Sequence, residues 1–492
     1  MTTLDAARPR ARAAGAPSGH RWLMLAVLLG GQLMALIDAF VENVAMPSIG
    51  ADLHASGAAL QLVIAGYTVS YAMLLITGAR LGDLYGRRRM YLLGVVVFTA
   101  ASLACGLAPD SGLLILARCV QGAAAAVLVP QILSVIQMRF TGAARATALS
   151  AWGLVLATGA VAGVVVGGLL VSADLLGAGW RPVFLVNVPL GILVAALVPR
   201  VVPADPPRAQ HTGPGARRLD LLGLAIAAPA VCLIVLPLVV GRERGWPAWT
   251  FGCVAAGLLL AGAFARYERA VAARGGDPLL NLGVLRAPGL AAGLGTLLAV
   301  MAGYGGLLFV FTLHLQAGLG QSALRAGLSY IPLAGMFGLV GYFWRRLPAR
   351  VHPALVPTGL ALVAVAYLGL AVAVRGGGAG GPLLWLALAL AGVGLGLTIS
   401  PVLTQSLVGV PLSQAADASG LVATAAQLSQ VIGVAAFGTV YLSLAQQAGP
   451  HAVASGKALA DTATLLALLA GIGLVPAVAL ARTVLRTAGP RR

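Results

Sequence analysis

Charge is what this sequence has least of. Only 9% of its 492 residues are Asp, Glu, Lys or Arg, while 59% are hydrophobic. Soluble domains carry about 25% charged residues, so the string of about three soluble domains that the length would allow is excluded. The apolar side chains must face lipid. Acids are the scarcer sign, 14 against 32 basic residues, and Lys457 is the only lysine. It is followed by Ala458, so the chain has no GxxxxGK[ST] phosphate loop and cannot itself be a nucleotide-driven pump. The six histidines are scattered with no HExxH, and no GxSxG occurs, which leaves metal-dependent and serine hydrolysis unsupported. The chain reads as no enzyme, with no metal site and no cofactor. Cys105, Cys119, Cys232 and Cys253 all fall in apolar runs without a CxxC pair, and read as buried free thiols.

What is present is a succession of apolar runs, each near the 20 residues that a bilayer-crossing helix needs. Fourteen windows qualify: 21–46, 60–79, 91–108, 112–137, 146–172, 183–202, 219–241, 249–268, 288–315, 326–344, 354–374, 383–408, 418–446 and 460–483. The expected fold is therefore an all-α polytopic membrane protein with fourteen spans. Pro130, Pro229, Pro332 and Pro401 lie inside windows without excluding them, since neighbouring helices can satisfy the freed carbonyls. The first window is too long, and holds too many acids, for a cleavable signal peptide.

The net charge of +18 would suggest nucleic acid on a soluble protein, but here it follows topology. Twenty-five of the 32 basic residues lie in the N-tail, the even-numbered connections and the C-tail. Six lie on the other side: Arg181, Arg242, Arg244, Arg325, Arg375 and Lys457. The arginine-rich side is cytoplasmic, and an even span number puts both termini there. Arginine in place of lysine, with 65 glycines, goes with a GC-rich bacterial genome, so the expected location is a bacterial cytoplasmic membrane. Residues 1–20 read as a disordered tail and 203–218 as a Pro-rich linker. The chain midpoint falls in the seventh and eighth windows. This divides the protein into a six-helix half at 21–202, an inserted helix pair with its loop at 219–287, a second six-helix half at 288–483 and a tail at 484–492. Two halves are the repeat plan of secondary transporters.

Ionisable groups inside the hydrocarbon are costly and mark function. They are few here: Asp38 and Glu42 in the first window and Arg118 in the fourth. At 1.5 Å per residue, Asp38 lies about 24 Å from Trp22 at the inner end, and Arg118 about 9 Å from the outer face. The depths match. Asp38 and Glu42 are four residues apart and share one helix face. An Asp38–Arg118 pair would cheapen both charges, either as a static lock between two helices or as a site that exchanges a proton. Glu42, one turn further out, is either part of that site or wetted at the outer interface. His314 is the one histidine well inside a window, and is either an interfacial residue or a cavity group.

The segment from Gly78 to Arg89 connects the second and third windows. Gly82 and Gly86 allow a tight turn, Asp83 can accept from helix-end amides or arginines, and Arg87 to Arg89 can anchor at headgroups. This segment resembles the loop signature G-x-L-x-D-x-x-G-R-R of the major facilitator superfamily, with Ala79 in place of the first glycine. Arg118, Gln121 and Gly122 resemble the superfamily's R-x-x-Q-G. Gly159, Gly163, Gly167 and Gly168 resemble the antiporter motif G-x-x-x-G-P-x-x-G-G, with Val164 for its proline. Asp38, Asn43, Ala45 and Pro47 resemble L-D-x-T-x-V-N-V-A-L-P. Trp180, Arg181, Phe184, Asn187, Pro189 and Gly191 resemble W-R-x-x-F-x-x-N-x-P-x-G. The last two, with fourteen windows, resemble the drug:proton antiporter branch with fourteen helices.

That resemblance implies a proton-coupled exporter of lipophilic neutral or monocationic drugs, antibiotics or an endogenous secondary metabolite, working as a monomer by alternating access. It implies Asp38, Glu42 and Arg118 as the proton-coupling group. The segment with Gly82, Asp83, Gly86, Arg87 and Arg88 would be a latch between the two halves. Independently, glycines every four residues at 159, 163 and 167 make a smooth stripe for close helix contact. The polar candidates for a substrate cavity are Asn43, Gln61, Tyr67, Gln121, His314, Gln316, Gln427 and Gln430. The thirteenth window lacks acids and offers Gln427 and Gln430 instead, which argues against dications as cargo. An uptake symporter for a small nutrient stays open as the alternative.

Overall fold

The computed structural model describes residues 18–55, 57–174, 177–205, 220–241, 244–245, 247–276, 278–378, 381–411, 414–445 and 451–488. Most of the expected N-tail and linker lies outside these residues. Among the described residues the regular elements are all helical. In chain order they are α1 (Ser18–Asp52), α2 (Gly57–Tyr85), α3 (Arg87–Gly106), α4 (Ser111–Arg139), α5 (Gly142–Ala173), α6 (Pro182–Leu185), α7 (Asn187–Val201), α8 (Leu221–Val240) and α9 (Ala248–Ala273). Then follow α10 (Leu290–Leu313), α11 (Ala323–Leu328), α12 (Ile331–Phe343), α13 (His352–Val374), α14 (Gly381–Gln405), α15 (Ala415–Ala445) and α16 (His451–Ala488).

Each expected window falls on helix, but the count of spans is lower. Among the described residues eleven helices are long and apolar enough to cross a membrane, and α2, bent by 52° between Leu75 and Thr77, makes a twelfth. The windows at 146–172 and 219–241 are helical as α5 and α8 but do not enter that count, α8 because its apolar stretch Leu221–Pro237 is short. Length and composition thus support eleven or twelve spans where the sequence suggested fourteen. Edges moved too, because helices run past the apolar window: α1 extends to Asp52, and α16 starts at His451 rather than at 460. The window at 183–202 breaks at Val186 into α6 and α7. Pro332 is in the first turn of α12 rather than in a helix interior, where its missing N–H has no partner to lose.

Local chemistry sets the ends. Asp110 caps α4 by accepting from the Leu113 N–H at 2.9 Å, and Asp220 caps α8 by accepting from Gly223 at 2.7 Å, the usual service of an N-cap carboxylate. Gly86 between α2 and α3 has φ of 95°, a conformation only glycine adopts without strain. Where the chain re-enters the bundle before α6, the Trp180 Nε1–H and Arg181 Nη1 donate to Asp52 at 3.0 and 2.7 Å. Those bonds hold the Asp52 carboxyl below the usual carboxylate range.

Packing organises the helices into two groups. In one, α1 lies on α5, and α4 lies on both α2 and α3; in the other, α10 lies on α15, and α13 and α14 pack with α16 and α12. The groups meet where α5 crosses α12 and where α15 crosses α4 and α2. The pair α8 and α9 packs together, with Val235 of α8 buried against Val69 and Ala72 of α2. Large apolar side chains cover the outside, among them Leu259 at 76% and Val475 at 75% exposure. A surface like that is stable only against lipid. The chain is a multi-pass membrane protein.

Candidate functional site

The matching depths of Asp38 and Arg118 are realised as contact. Arg118 Nη1 donates to Asp38 Oδ2 at 2.6 Å, and Arg118 Nη2 forms an ion pair with Glu42. Asp38, Glu42 and Arg118 are 0%, 2% and 0% exposed, so Glu42 is no wet interfacial acid. It lies beside Asp38 because four residues return an α-helix to the same face. Other elements complete the cluster. Gln121 Nε2 and Asn187 Nδ2 both donate to Asp38 Oδ1 at 2.7 Å, and the Gln121 Oε1 accepts from Arg118 Nη1 at 2.7 Å. Ser102 of α3 accepts a second bond from Gln121 Nε2 at 2.7 Å. With both acids ionised, two carboxylates face one guanidinium, and a single proton makes the cluster neutral. Buried charge that can be cancelled so simply is suited to proton exchange.

The cluster borders a cavity between the two helix groups. Gln32, Phe40 and Glu42 of α1, Tyr67 and Tyr71 of α2, Phe309 of α10 and Gln430 of α15 line it. Mostly apolar and aromatic walls with a few amides and one acid are what an amphiphilic small molecule needs. Two of the eight sequence candidates, Tyr67 and Gln430, are on this wall. Gln121 is not: it lies behind it, fully buried in the acid cluster. His314 is not either. It is buried in a π-turn (His314–Gly318) at the end of α10, its Nδ1 bonded to Ser455 at 2.8 Å, and Gln316 shares that turn away from the lining. The side chains of Asn43, Gln61 and Gln427, and that of Val164, lie outside the described residues. Reading the sequence missed Asn187 as a partner of Asp38, although it stands in the W-R-x-x-F-x-x-N motif; Gln32, Tyr71 and Phe309 had no signal beyond a place in an apolar run.

The glycine stripe faces the same helix that carries the acids. A Cβ on Gly159, Gly163 or Gly167 would come within 2.7 Å of Leu36 Cδ1, 2.8 Å of the Ile37 carbonyl and 2.8 Å of Val41 Cγ2. Gly168 is buried beside them. The stripe therefore seats α5 against the stretch of α1 that brackets Asp38.

The segment from Gly82 to Arg88 is ordered by contacts with its own helix group. Asp83 pairs with Arg87, Arg88 N–H donates to Asp205 Oδ2 at 3.1 Å, and Arg88 Nη2 donates to the Pro199 carbonyl at 2.9 Å. Gly82 leaves room for the Gln131 side chain, which a Cβ would meet at 1.8 Å. Arg345 Nη1 donates to the Ala143 carbonyl at 2.7 Å, a tie between the two groups. Asp83→Asn should leave folding and insertion intact, because the pair is partly exposed and such pairs contribute little stability. If the segment latches a transport cycle, as the sequence resemblance implies, the change should slow turnover several-fold, since Arg87 loses its carboxylate partner. Unchanged transport per molecule at equal expression would remove Asp83 from the working cycle.

Among the described residues no three His, Cys, Asp or Glu side chains are grouped to hold a metal ion. A helical polytopic bundle with a cavity between two groups and a buried charge cluster on its wall is the architecture of a membrane transporter rather than an enzyme. The chain belongs to the Major Facilitator Superfamily, whose family model matches residues 28–434. It is 37% identical over 470 residues to the "Probable actinorhodin transporter" of Streptomyces coelicolor, covering 93% of this chain and 79% of that protein. To the "Multidrug resistance protein Stp" of Mycobacterium tuberculosis it is 32% identical, over 86% of this chain and 76% of the relative. Its fold is similar to that of the proton:xylose symporter XylE, with a TM-score of 0.62 at 15% identity, covering 92% of this chain and 95% of that one.

Proposed function

We propose that this protein is a proton-coupled antiporter that exports lipophilic neutral or monocationic compounds, antibiotics or an endogenous secondary metabolite among them, by alternating access. The observation that carries the reading is the double membership of Glu42. It lines the cavity and also pairs with the arginine that holds Asp38. A monocationic cargo and a proton then compete for one buried negative charge, which is the elementary requirement of exchange. The name of the Mycobacterium relative, a multidrug resistance protein, supports drugs as the cargo class. In this reading α5 and α8 cross the membrane beside the twelve spans above, both termini are cytoplasmic in a bacterial cell membrane, and α8 with α9 is an inserted pair between two six-helix halves. The transporter works as a monomer on the proton gradient with no cofactor.

Dye transport in everted vesicles tests the reading. An imposed pH gradient should drive uptake of a monocationic dye, and uncoupler should abolish it. Accumulation in the opposite sense would favour a symporter.

The two acids divide the work. If one proton exchanges for one monocation, no net charge moves; if two do, the membrane potential adds about 2.3 kcal/mol per 100 mV for the charge moved. Asp38 is enclosed by Arg118, Gln121 and Asn187, whereas Glu42 reaches the cavity. Glu42 should therefore load protons without being a second obligatory carrier. Glu42→Gln should slow export and shift its pH optimum while some transport remains, and wild-type export should persist when valinomycin and potassium clamp the potential. Strong dependence on the potential, lost in Glu42→Gln, would make Glu42 a true second carrier.

A further inference from the structure

The charge cluster and the cavity are close neighbours, yet Asp38 and Arg118 do not line the cavity; Glu42 and Tyr67 do. The Arg118 guanidinium carbon lies 4.4 Å from the centroid of the Tyr67 ring and 5.6 Å from that of Phe184. The cation thus has two aromatic rings beside it, one from α6 and one from α2, and the α2 ring is also cavity wall. Tyr67 continues along that wall into Tyr71, with centroids 6.0 Å apart and planes only 11° from parallel.

The backbone fixes this ring in place. α2 and α4 cross so closely at this level that a Cβ on Gly122 would lie 2.2 Å from the Tyr67 carbonyl oxygen. One residue earlier on α2, a Cβ on Gly66 would meet Cys119 Sγ at 3.0 Å. The Tyr67 hydroxyl points to the Ala35 carbonyl at 3.4 Å, toward α1 rather than into the cavity. Since the two helices cannot slide apart without opening this crossing, the ring stays over the guanidinium.

A face-on aromatic ring does two things to a buried cation. It attracts it through the ring quadrupole, more strongly when desolvated, and it keeps water off it. Water at Arg118 would screen its pull on both carboxylates, and with it the penalty for holding a cargo charge and a proton together. The titratable and charged groups that face this ring and its cation are Asp38 and Glu42 from α1, Arg118 from α4, Cys105 from α3 and Tyr71 from the same helix.

We propose that Tyr67 is a positioning residue that separates Asp38 and Arg118 from the cargo cavity while leaving Glu42 at its wall, and that by excluding water from Arg118 it makes proton binding and cargo binding mutually exclusive. This rests on the antiport reading above, but it assigns the tightness of coupling to one ring on the cavity wall. Tyr71, one turn along the same wall and without contact to the guanidinium, serves cargo only.

The test uses the purified full-length protein in lipid nanodiscs and ethidium, a planar aromatic monocation, with its affinity measured by fluorescence at pH 6 and pH 8. Wild type should bind at least tenfold more weakly at pH 6. Tyr67→Leu keeps apolar bulk but removes the ring, and should reduce that ratio to threefold or less. Tyr67→Phe should restore most of it, because the ring and not the hydroxyl faces Arg118. Tyr71→Leu should weaken binding at both pH values and leave the ratio as in wild type. A full tenfold ratio in Tyr67→Leu, with affinity merely lowered at both pH values, would overturn the partition while sparing antiport. Equal affinity at the two pH values in wild type would overturn both. Should Tyr67→Leu fail to fold, a Tyr67→Phe protein without the pH ratio would refute the role of the ring.

Discussion

Asp38→Asn should lower proton-driven export to the background of vesicles without the protein, while cargo still binds. The Asp38 carboxylate accepts from three donors, Arg118 Nη1, Gln121 Nε2 and Asn187 Nδ2, at 2.6, 2.7 and 2.7 Å. An asparagine amide has one acceptor oxygen and one NH2 group. Whichever way it is turned, that NH2 faces a donor, and an unsatisfied buried donor costs about 1–3 kcal/mol. Arg118 is then left with Glu42 alone, and the enclosed carboxyl assigned as the obligatory proton carrier is gone. The cavity wall keeps Gln32, Tyr67, Tyr71 and Gln430, which is why binding survives. The measurement is dye transport under an imposed pH gradient at equal expression, beside equilibrium binding to the purified protein. Wild-type transport by Asp38→Asn would sink the assignment of Asp38 as proton carrier; Asp38→Glu, which keeps a carboxyl, should retain part of the activity.

Gly163→Leu should be the most damaging single change on α5. Its Cβ alone would come within 2.8 Å of the Ile37 carbonyl and 3.0 Å of Phe40 Cβ, the residues on either side of Asp38. Neither is the flexible end of a side chain. A leucine must push α1 and α5 apart, and overpacking of this kind costs about 1–3 kcal/mol and occasionally more. Because the displaced backbone holds Asp38 and Phe40, transport should fall together with stability. The unfolding midpoint of the purified protein and dye transport both report it. Gly262→Leu on α9 is the control, since nothing lies within 4 Å of a Cβ there, and it should change neither. If Gly163→Leu kept a wild-type midpoint, close packing along the stripe would be refuted.

The sequence by itself determined depth and composition. Low charge with long apolar runs meant a multi-pass membrane protein, because no other solvent tolerates that surface. Counting 1.5 Å per residue from Trp22 and from the start of the fourth window put Asp38 and Arg118 at one level, and they are in contact. Spacing of four put Glu42 on the same face and made the glycine stripe legible as a helix interface. What spacing cannot give is rotation about the helix axis when most faces are apolar, since lipid and protein interior then select similar side chains. Gln121 shows this: one turn from Arg118, it read as a cavity group, yet packing of α4 against α3 turns it to Ser102 and Asp38. His314 read as an interfacial or cavity group, but a π-turn directs it to Ser455 on α16. Asn187 reaches Asp38 only because the chain breaks at Val186 and α7 is docked on α1, a geometry formed across 149 positions. The Tyr67 ring covers Arg118 because glycines let α2 and α4 cross at close range. Only the tertiary structure could decide these azimuths, because they are set by which helices touch and not by any one helix alone.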